Sequence, residues 1–368
     1  MKVLNSSIIY ENPVPQLCSR QATFPNICQL ADGTLLAAMV IGDAFESVDG
    51  STHVCRSTDG GKTWTVPIKM YENRKHNGRT FTDYSKITVL PDGRVAVLGY
   101  AYYRDNPNLP IGNPQNGGVL DDFVFYAISD DGGETWGEMR EIECAWGPHV
   151  EASAPLYVLK NGSWITPITG FPTWDGVMTG SMCGRALRSD DQGKTWNDDS
   201  VCMTFNEPIT CYEQRFCQLD SGTLICIGWN ENTVTGERLN NHYTASYDNG
   251  ITWSEPSTTG IQGQASSVCA LGGEKLLAIH AVRRDTDKPG IYGYVVDFSD
   301  KTWKIEEEIL LWAPSVPMIK DTKMAEIFSF LKFGQPSAIK LNDGSLLLTF
   351  WYAQEGQYKI AVIKLQLD

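Results

Sequence analysis

The sequence has little of what several common protein classes require. Ten cysteines in 368 residues, none in a Cys-x-x-Cys pair, are too few for a scaffold built on disulfides. No apolar run approaches the roughly 18 residues that a membrane-spanning helix needs. Basic residues number 30 against 44 acidic ones, and the resulting charge of −14 argues against nucleic acid or an anionic membrane as the main partner.

Motifs of several enzyme classes are also missing. The chain contains no His-Glu-x-x-His, no Gly-rich phosphate loop and no Gly-x-Ser-x-Gly, which excludes the usual signatures of zinc proteases, nucleotide enzymes and serine hydrolases. The first ten residues hold one lysine and only short apolar stretches, unlike a signal peptide. Cysteines such as Cys28 and Cys226 lie inside apolar runs, where a thiol behaves as a small hydrophobic group. We therefore expect reduced thiols and a cytoplasmic protein, although a secreted chain trimmed of its signal would look the same.

What the sequence does contain is apolar material and a repeat. Hydrophobic residues make up 42% and aromatic residues 11% of the chain, enough for a large core. A Ser-x-Asp-x-Gly-x-x-Trp unit occurs in four full copies and one decayed copy: Ser57–Trp64, Ser129–Trp136, Ser189–Trp196, Ser246–Trp253 and Ser299–Trp303. Its serine and aspartate can bond neighbouring backbone groups and fix a turn. Calcium binding is the alternative, but the copies lack the carboxylate density of calcium loops.

A second repeat runs out of phase with the first. Six two-residue turns join pairs of apolar strands: Asp32-Gly33, Asp92-Gly93, Asn161-Gly162, Ser221-Gly222, Gly272-Gly273 and Asp343-Gly344. Such turns between apolar runs are strong hairpin signals. Six units of four antiparallel strands, with almost no helical periodicity, predict a single all-β domain over residues 1–368, a six-bladed β-propeller. Because the last unit lacks a fourth strand, we expect Ser7–Tyr10 to join it and close the ring.

The strand order also predicts which face of the disc carries chemistry. The start of each first strand and the loop between second and third strands share one face. Counting back eight residues from each hairpin turn gives one ring position per blade: Phe24, Tyr84, Ser153, Glu213, Gln264 and Gln335. Glu151 lies two residues before Ser153, and loops on this face add His53, Trp174, Arg283 and Arg284. Acids, arginines and aromatics together suit a sugar with an acidic substituent. A polar channel filled with ordered water is the structural alternative.

With four Asp-box motifs on a six-unit pattern, the chain resembles the sialidase superfamily of Asp-box (BNR) proteins. The resemblance implies that Asp49, ten residues before Asp59, is the general acid and that Glu213 is the base or the partner of a tyrosine. It implies that arginines hold the acidic group; those available are Arg20, Arg215, Arg283 and Arg284.

Three positions depart from the superfamily pattern. Thr23 stands where a sialidase has its first arginine, and Trp229 or Asn230 stands where another arginine is expected. Gln335 replaces the tyrosine nucleophile and cannot form the covalent intermediate. Tyr84, at the equivalent position of blade two, is the available substitute.

Three functions follow as hypotheses. The first is a sialidase-like, exo-acting glycoside hydrolase that needs no cofactor or metal. Asp49 and Glu213 are its catalytic groups, and Glu151 is the alternative carboxylate. The second is a uronate lyase, in which His53 or His149 with Tyr84 removes a proton beside a carboxylate neutralised by Arg20 or Arg215. The third is a propeller that binds carbohydrate without turnover. Either histidine could equally be a packed strand residue.

Overall fold

Strands arranged in six antiparallel sheets form the protein. The structure is a computed structural model that describes residues 1–147, 149–178, 182–284, 286–315 and 332–367. Among these residues there is no helix, so none could cross a membrane. Each hairpin turn predicted from sequence joins the first two strands of a sheet, because its glycine or Gly-Gly pair permits the tight reversal.

Blades I to III contain the following strands. Blade I has β2 (Gln21–Gln29), β3 (Leu35–Gly42), β4 (Ser51–Ser57) and β5 (Ile68–Lys69). Blade II has β7 (Arg79–Val89), β8 (Val95–Tyr103), β9 (Asp122–Ser129) and β10 (Arg140–Ile142), with the short β6 (Lys75–His76) beside β7. In blade III the innermost strand is split into β11 (Val150–Glu151) and β12 (Tyr157–Val158), followed by β13 (Trp164–Gly170), β14 (Gly184–Ser189) and β15 (Asn197–Met203).

Blades IV to VI complete the ring. Blade IV has β16 (Tyr212–Gln218), β17 (Leu224–Trp229), β18 (His242–Ser246) and β19 (Ser257–Thr258). Blade V has β20 (Ser266–Gly272), β21 (Lys275–Val282), β22 (Gly290–Asp297) and β23 (Lys304–Trp312). Blade VI has β24 (Phe333–Lys340), β25 (Leu346–Gln354), β26 (Gln357–Gln366) and, from the other end of the chain, β1 (Lys2–Tyr10). The six-bladed propeller and its closure by the N-terminal strand are therefore confirmed, and the closing strand is longer than the predicted Ser7–Tyr10.

The core lies between neighbouring blades. The innermost strands contact one another around the axis, β2 with β7 and β24, and β16 with β20. Side chains from adjacent sheets share apolar clusters: Leu36 and Val97 belong to one, and Ile165 and Phe216 belong to another. Each blade thus buries its apolar faces against the next, which leaves the strand ends at the two faces free to carry polar side chains.

The Asp-box is a hydrogen-bonded turn at the outer edge of a blade. In the second copy, the Asp131 carboxylate accepts the Thr135 backbone N–H at 2.9 Å and the Ser129 hydroxyl at 2.7 Å. The Ser129 hydroxyl oxygen accepts the N–H of Gly133, whose φ of +87° favours glycine. The same contacts recur around Asp59, Asp191 and Asp248. The carboxylates therefore accept hydrogen bonds that stabilise the turns, which is the structural role predicted from the sequence.

Candidate active site

Three innermost strands share an irregularity at the ring position. The pairing register shifts between Thr23 and Asn26 in blade I, and the same shift occurs in blades IV and VI. The bulged residues Phe24, Glu213 and Gln335 have φ values of +52°, +44° and +41°. A β-bulge re-aims its side chain, and a positive φ in a non-glycine residue costs of order 1–3 kcal/mol, a strain that concentrates at functional sites.

Glu213 is held from two sides. Its Oε2 accepts the indole N–H of Trp229 at 2.8 Å, and its Oε1 accepts the side-chain amide of Gln335, also at 2.8 Å. Gln335 is itself oriented, because its carbonyl oxygen accepts the indole N–H of Trp351. These two hydrogen bonds, one to each oxygen, hold the carboxylate in one fixed orientation. Trp229 and Gln335 thus occupy places where the sialidase resemblance expects an arginine and a tyrosine, and both bond the same glutamate.

Buried cations surround this carboxylate. Burial lowers the pKa of Arg283 to about 9, against the opposing effect of the Glu213 charge. The Arg283 guanidinium donates to the carbonyl of Phe333 at 2.5 Å. Arg215 is 5% exposed and donates to the Ser153 hydroxyl at 3.3 Å. Positive charge is therefore concentrated where a substrate carboxylate could be neutralised.

Glu151 is the second carboxylate of this group. It lies at the end of β11, partly buried, opposite Thr169 on β13. Burial and then the charge of Glu213 raise the pKa of Glu151 to about 7, while a hydrogen bond from Ser153 and the charge of Arg215 act in the other direction. A carboxyl group whose pKa is raised in this way can serve as a proton donor near neutral pH.

Asp49 lies in the loop between β3 and β4, on the same face of the disc. Its Oδ1 accepts the backbone N–H of Asp43 at 3.0 Å, and its Oδ2 is 3.6 Å from the Arg20 guanidinium. Partial burial raises the pKa of Asp49, but the hydrogen bonds from Ser47 and Asp43 and the charge of Arg20 outweigh it and bring the pKa below its usual value. Among the described residues, no hydrogen bond or ion pair joins Asp49 to Glu213. Asp49 is thus held as an anion beside Arg20.

Aromatic rings line the region between these groups. Tyr84 packs edge-on against Phe24 at 5.1 Å and stacks on Tyr100 at 5.5 Å between ring centroids. Burial, followed by the charge of Glu46, raises the pKa of Tyr84. The phenol therefore stays protonated, which does not favour the role of a nucleophile that replaces the missing tyrosine.

A second aromatic run leads to Glu213. Phe171 stacks on Tyr212 with a centroid distance of 5.8 Å, and Tyr212 lies 4.5 Å from Trp229. All three rings are partly exposed. Flat apolar faces of this kind can stack on the C–H groups of a pyranose ring.

The remaining predicted residues have other contacts. The Nδ1 atom of His53 lies 2.8 Å from the Ser51 carbonyl of its own strand, and burial lowers the pKa of His53. The Trp174 carbonyl accepts from the Asn113 amide at 2.9 Å in an outer loop. Arg284 lies 3.7 Å from Glu231, and Gln264 is 3% exposed at the start of blade V. Within the described part of the chain, no hydrogen bond or ion pair joins His53, Trp174 or Gln264 to Glu213, Glu151 or Asp49.

Sequence reasoning missed Lys86 and Trp351. Lys86 lies two residues after the ring position Tyr84, and its ammonium donates to the carbonyls of Phe24 and Pro25 at 2.6 and 3.3 Å. Trp351 pairs in register with Gly334, just as Trp229 pairs with Tyr212, so each tryptophan faces the residue before a bulge. Extending the offset count by two residues would have found Lys86. The tryptophans needed the bulge register, which the sequence does not show.

The described residues contain no cluster of side chains that resembles a metal site. Among them, no group of three or more His, Cys, Asp or Glu side chains is placed to hold a metal ion. The ten cysteines are all free thiols. Burial raises the pKa of Cys28 and Cys55 to about 12, so both thiols are uncharged.

Comparison with known proteins agrees with the fold. The model of the BNR repeat-like domain matches residues 110–313, which is more than half of the chain. The sequence matches no curated protein.

Solved structures with the same architecture are distant in sequence. A protein of unknown function from Dyadobacter fermentans superimposes with a TM-score of 0.75 at 19% identity, covering 100% of this chain and 99% of that one. The NanB sialidase of Streptococcus pneumoniae (K499G mutant) gives 0.69 at 13% identity, covering 100% and 71%. The intramolecular trans-sialidase of Ruminococcus gnavus, in complex with oseltamivir carboxylate, gives 0.67 at 14% identity, covering 100% and 98%. At identities this low, the structural similarity establishes the shared fold and nothing more.

Proposed function

Because the chain belongs to the BNR repeat-like domain family, we propose that it is a sialidase-like glycoside hydrolase that removes a terminal acidic sugar from a glycan. The observation that supports this most is the surroundings of Glu213. Two N–H donors fix its carboxylate, Glu151 beside it has a raised pKa, and buried arginines lie around both. Glycosidases use such a carboxyl pair, one group protonated and the other ionised.

The roles follow from protonation. Glu151, with a pKa of about 7, is the proton donor to the leaving oxygen, and Glu213 acts from the other side of the sugar as base or nucleophile. Arg215 and Arg283 supply the charge that selects an acidic substituent, and the rings of Tyr212 and Trp229 form a wall for the sugar. No tyrosine nucleophile is needed, which suits a chain with Gln335 at that position.

The family resemblance assigns the role of general acid to Asp49 instead of Glu151. Variants of the two residues can distinguish these assignments. The lowered pKa of Asp49 and its contact with Arg20 favour an anion that orients the arginine. If Glu151 is the donor, Glu151→Gln abolishes the basic limb of the pH profile and Asp49→Asn retains it. If Asp49 is the donor, Asp49→Asn removes that limb and Glu151→Gln retains it.

The substrate class is tested with a panel of α-sialosides, β-glucuronides and neutral glycosides, followed by proton NMR. The proposal expects release of an intact acidic sugar and no turnover of the neutral set. The anomer formed first separates retention from inversion. Release of a neutral sugar alone, or binding without turnover, would overturn the proposal.

One observation favours the lyase as a second candidate. The His149 Nδ1 is 3.3 Å from the Asp122 carboxylate, which raises the pKa of His149, and His149 lies two residues before Glu151. A lyase yields an unsaturated uronate, which absorbs in the ultraviolet, whereas a hydrolase yields none. The same panel therefore distinguishes the two reactions.

A further inference from the structure

A cavity runs along the propeller axis behind the candidate active site. Its volume is about 620 Å³, and it is lined by the innermost strands β2, β7, β16, β20 and β24 and by the segment around β12. Its lining starts at the ring position Gln335 and at Pro25 and Lys86, and it continues to Lys160 and Asn342 beside the hairpin turns. The cavity therefore extends toward the face of the disc opposite the catalytic groups, and its volume is typical of a small-molecule site.

The charged side chains that line the cavity are all basic. Four basic side chains contribute to it, Lys86, Lys160, Arg215 and Lys340, and the described residues that line it include no aspartate or glutamate. The chain as a whole has a charge of −14, so a wall with only positive charge runs against the composition. A cavity lined by one sign of charge concentrates ligands of the opposite sign.

At the inner end, neutral groups hold the two cations. The Lys86 ammonium donates to two backbone carbonyls, and Arg215 uses Nη1 for the Ser153 hydroxyl and the Gln214 carbonyl. The Nε and Nη2 atoms of Arg215 have no hydrogen-bond partner among the described residues. Burial and then the charge of Arg215 lower the pKa of Lys86 well below its usual value, while the charges of Glu213 and Glu151 act in the other direction. The inner cations thus keep donors for a further acceptor.

At the outer end, the cations also rest on backbone carbonyls. The Lys340 ammonium donates to the Leu271 carbonyl at 2.6 Å, and that of Lys160 donates to the Leu219 carbonyl at 3.1 Å. The Asp220 carboxylate is 3.5 Å from the Lys160 ammonium at the rim, and the N–H of Gly273 and the charges of Lys160 and Lys340 lower its pKa. The Lys160 side chain is 53% exposed, so this end of the cavity is open to solvent.

The two levels are well separated. Lys86 is two residues past its ring position and Lys340 is five past its own, so three residues of strand, about 10 Å, lie between them. One phosphate cannot contact both levels, whereas an elongated ligand with several charged groups can. Phosphoryl oxygens are strong acceptors for ammonium and guanidinium donors.

We propose that the axial cavity is a binding site for a small, elongated polyanion of the di- or triphosphate type, entered from the hairpin-turn face, with an inner end that shares Arg215 with the candidate active site. Inner contacts come from Lys86 and Arg215, and outer contacts come from Lys160 and Lys340. The site does not depend on which glycan the catalytic face accepts.

The test is isothermal titration calorimetry of the full chain with inorganic tripolyphosphate and with orthophosphate, at constant ionic strength. We expect one saturable site, with tripolyphosphate binding at least about tenfold more tightly than orthophosphate. The double variant Lys160→Gln/Lys340→Gln should weaken tripolyphosphate binding at least about tenfold. The matched control is Lys62→Gln/Lys194→Gln, which removes the same charge from exposed Asp-box turns outside the cavity. This control should bind as the wild type does.

Two results would overturn the proposal: no saturable binding to the wild type, or equal weakening in the test and control variants. Equal affinity for orthophosphate and tripolyphosphate would also contradict an elongated ligand. Melting curves without ligand show whether each variant is folded. If the double variant is not, the single Lys340→Gln variant replaces it, with an expected loss of at least about threefold.

Discussion

At the scale of single residues, the candidate site depends on three side chains that lie in an unfavourable backbone region. Phe24, Glu213 and Gln335 have positive φ values although none is glycine, and the sheet around them maintains that conformation. Counting residues from the hairpin turns located all three positions in advance. It could not show the bulges, because a bulge is a property of the pairing register and not of composition. The hydrogen bonds from Trp229 and Gln335 to Glu213 follow from that register.

Glu151 gives a pH prediction. As the proton donor it must be protonated, so activity should fall as the pH rises through about 7. Glu151→Gln should lower kcat at least about 100-fold and remove the basic limb of the profile. The measurement is kcat/KM against pH for wild type and variant. A basic limb that persists in Glu151→Gln would contradict the assignment.

The same shift also acts on stability. Because the folded pKa of Glu151 is raised, the free energy of unfolding is highest with the group protonated and decreases as the pH rises from about 4.5 to about 7. The decrease is about 3 kcal/mol at most, since one pKa unit corresponds to about 1.4 kcal/mol. Glu151→Gln should lose this decrease, which urea unfolding at several pH values can detect. The exposed Glu207→Gln is the control.

At the scale of elements, the hairpins and the Asp-boxes were predictable because local chemistry fixes them. A turn dipeptide between apolar runs closes a hairpin. In the Ser-x-Asp-x-Gly-x-x-Trp turn, the hydrogen bonds join residues no more than four positions apart. The split innermost strand of blade III was not predictable. Its two short pieces, β11 and β12, lie on either side of Ser153, and no continuous apolar run in the sequence marks the break between them.

The Asp-box turn gives a prediction at this scale. Removing the Asp131 carboxylate takes away the acceptor for Thr135 and Ser129, so Asp131→Ala should lower Tm by about 2–6 °C and leave activity unchanged. The neighbouring Asp130→Ala changes the same charge and should have little effect, as calorimetry can show. Equal effects of the two variants would contradict a structural role for the turn.

The pH dependence of Tm gives a second test of the hydrogen bonds in this turn. Hydrogen bonds from Thr135 hold the pKa of Asp131 below its usual value. A lowered folded pKa means that the stabilisation is present above about pH 4 and is lost as the pH falls toward that folded pKa. The Tm difference between wild type and Asp131→Ala should therefore shrink below about pH 4.

At the scale of the whole molecule, ring closure joins the two ends of the chain. The strand β1 pairs with β26 from Lys2 to Tyr10, and Ile9 is 6% exposed in the core between blades VI and I. A closed ring leaves no open gap between first and last blades, which is why six weakly similar units suffice for one stable disc.

Deleting residues 1–12 tests this closure. The deletion removes one whole strand from blade VI, so Tm should fall by at least about 10 °C, cooperatively and for the entire molecule. Leu4→Ser, which changes a 44% exposed side chain within the same strand, is the control and should change Tm by less than about 2 °C. An unchanged melting curve after deletion would show that the ring does not need the strand.

Glu213 is the group on which the proposed reaction depends most, because it acts on the substrate directly. Its most direct test is kcat/KM of Glu213→Gln against wild type on an acidic glycoside that the panel identifies, with Glu207→Gln as the matched control. We predict a loss of at least about 1,000-fold for Glu213→Gln at unchanged Tm, and full activity for the control. Turnover of Glu213→Gln within about threefold of wild type would contradict the account.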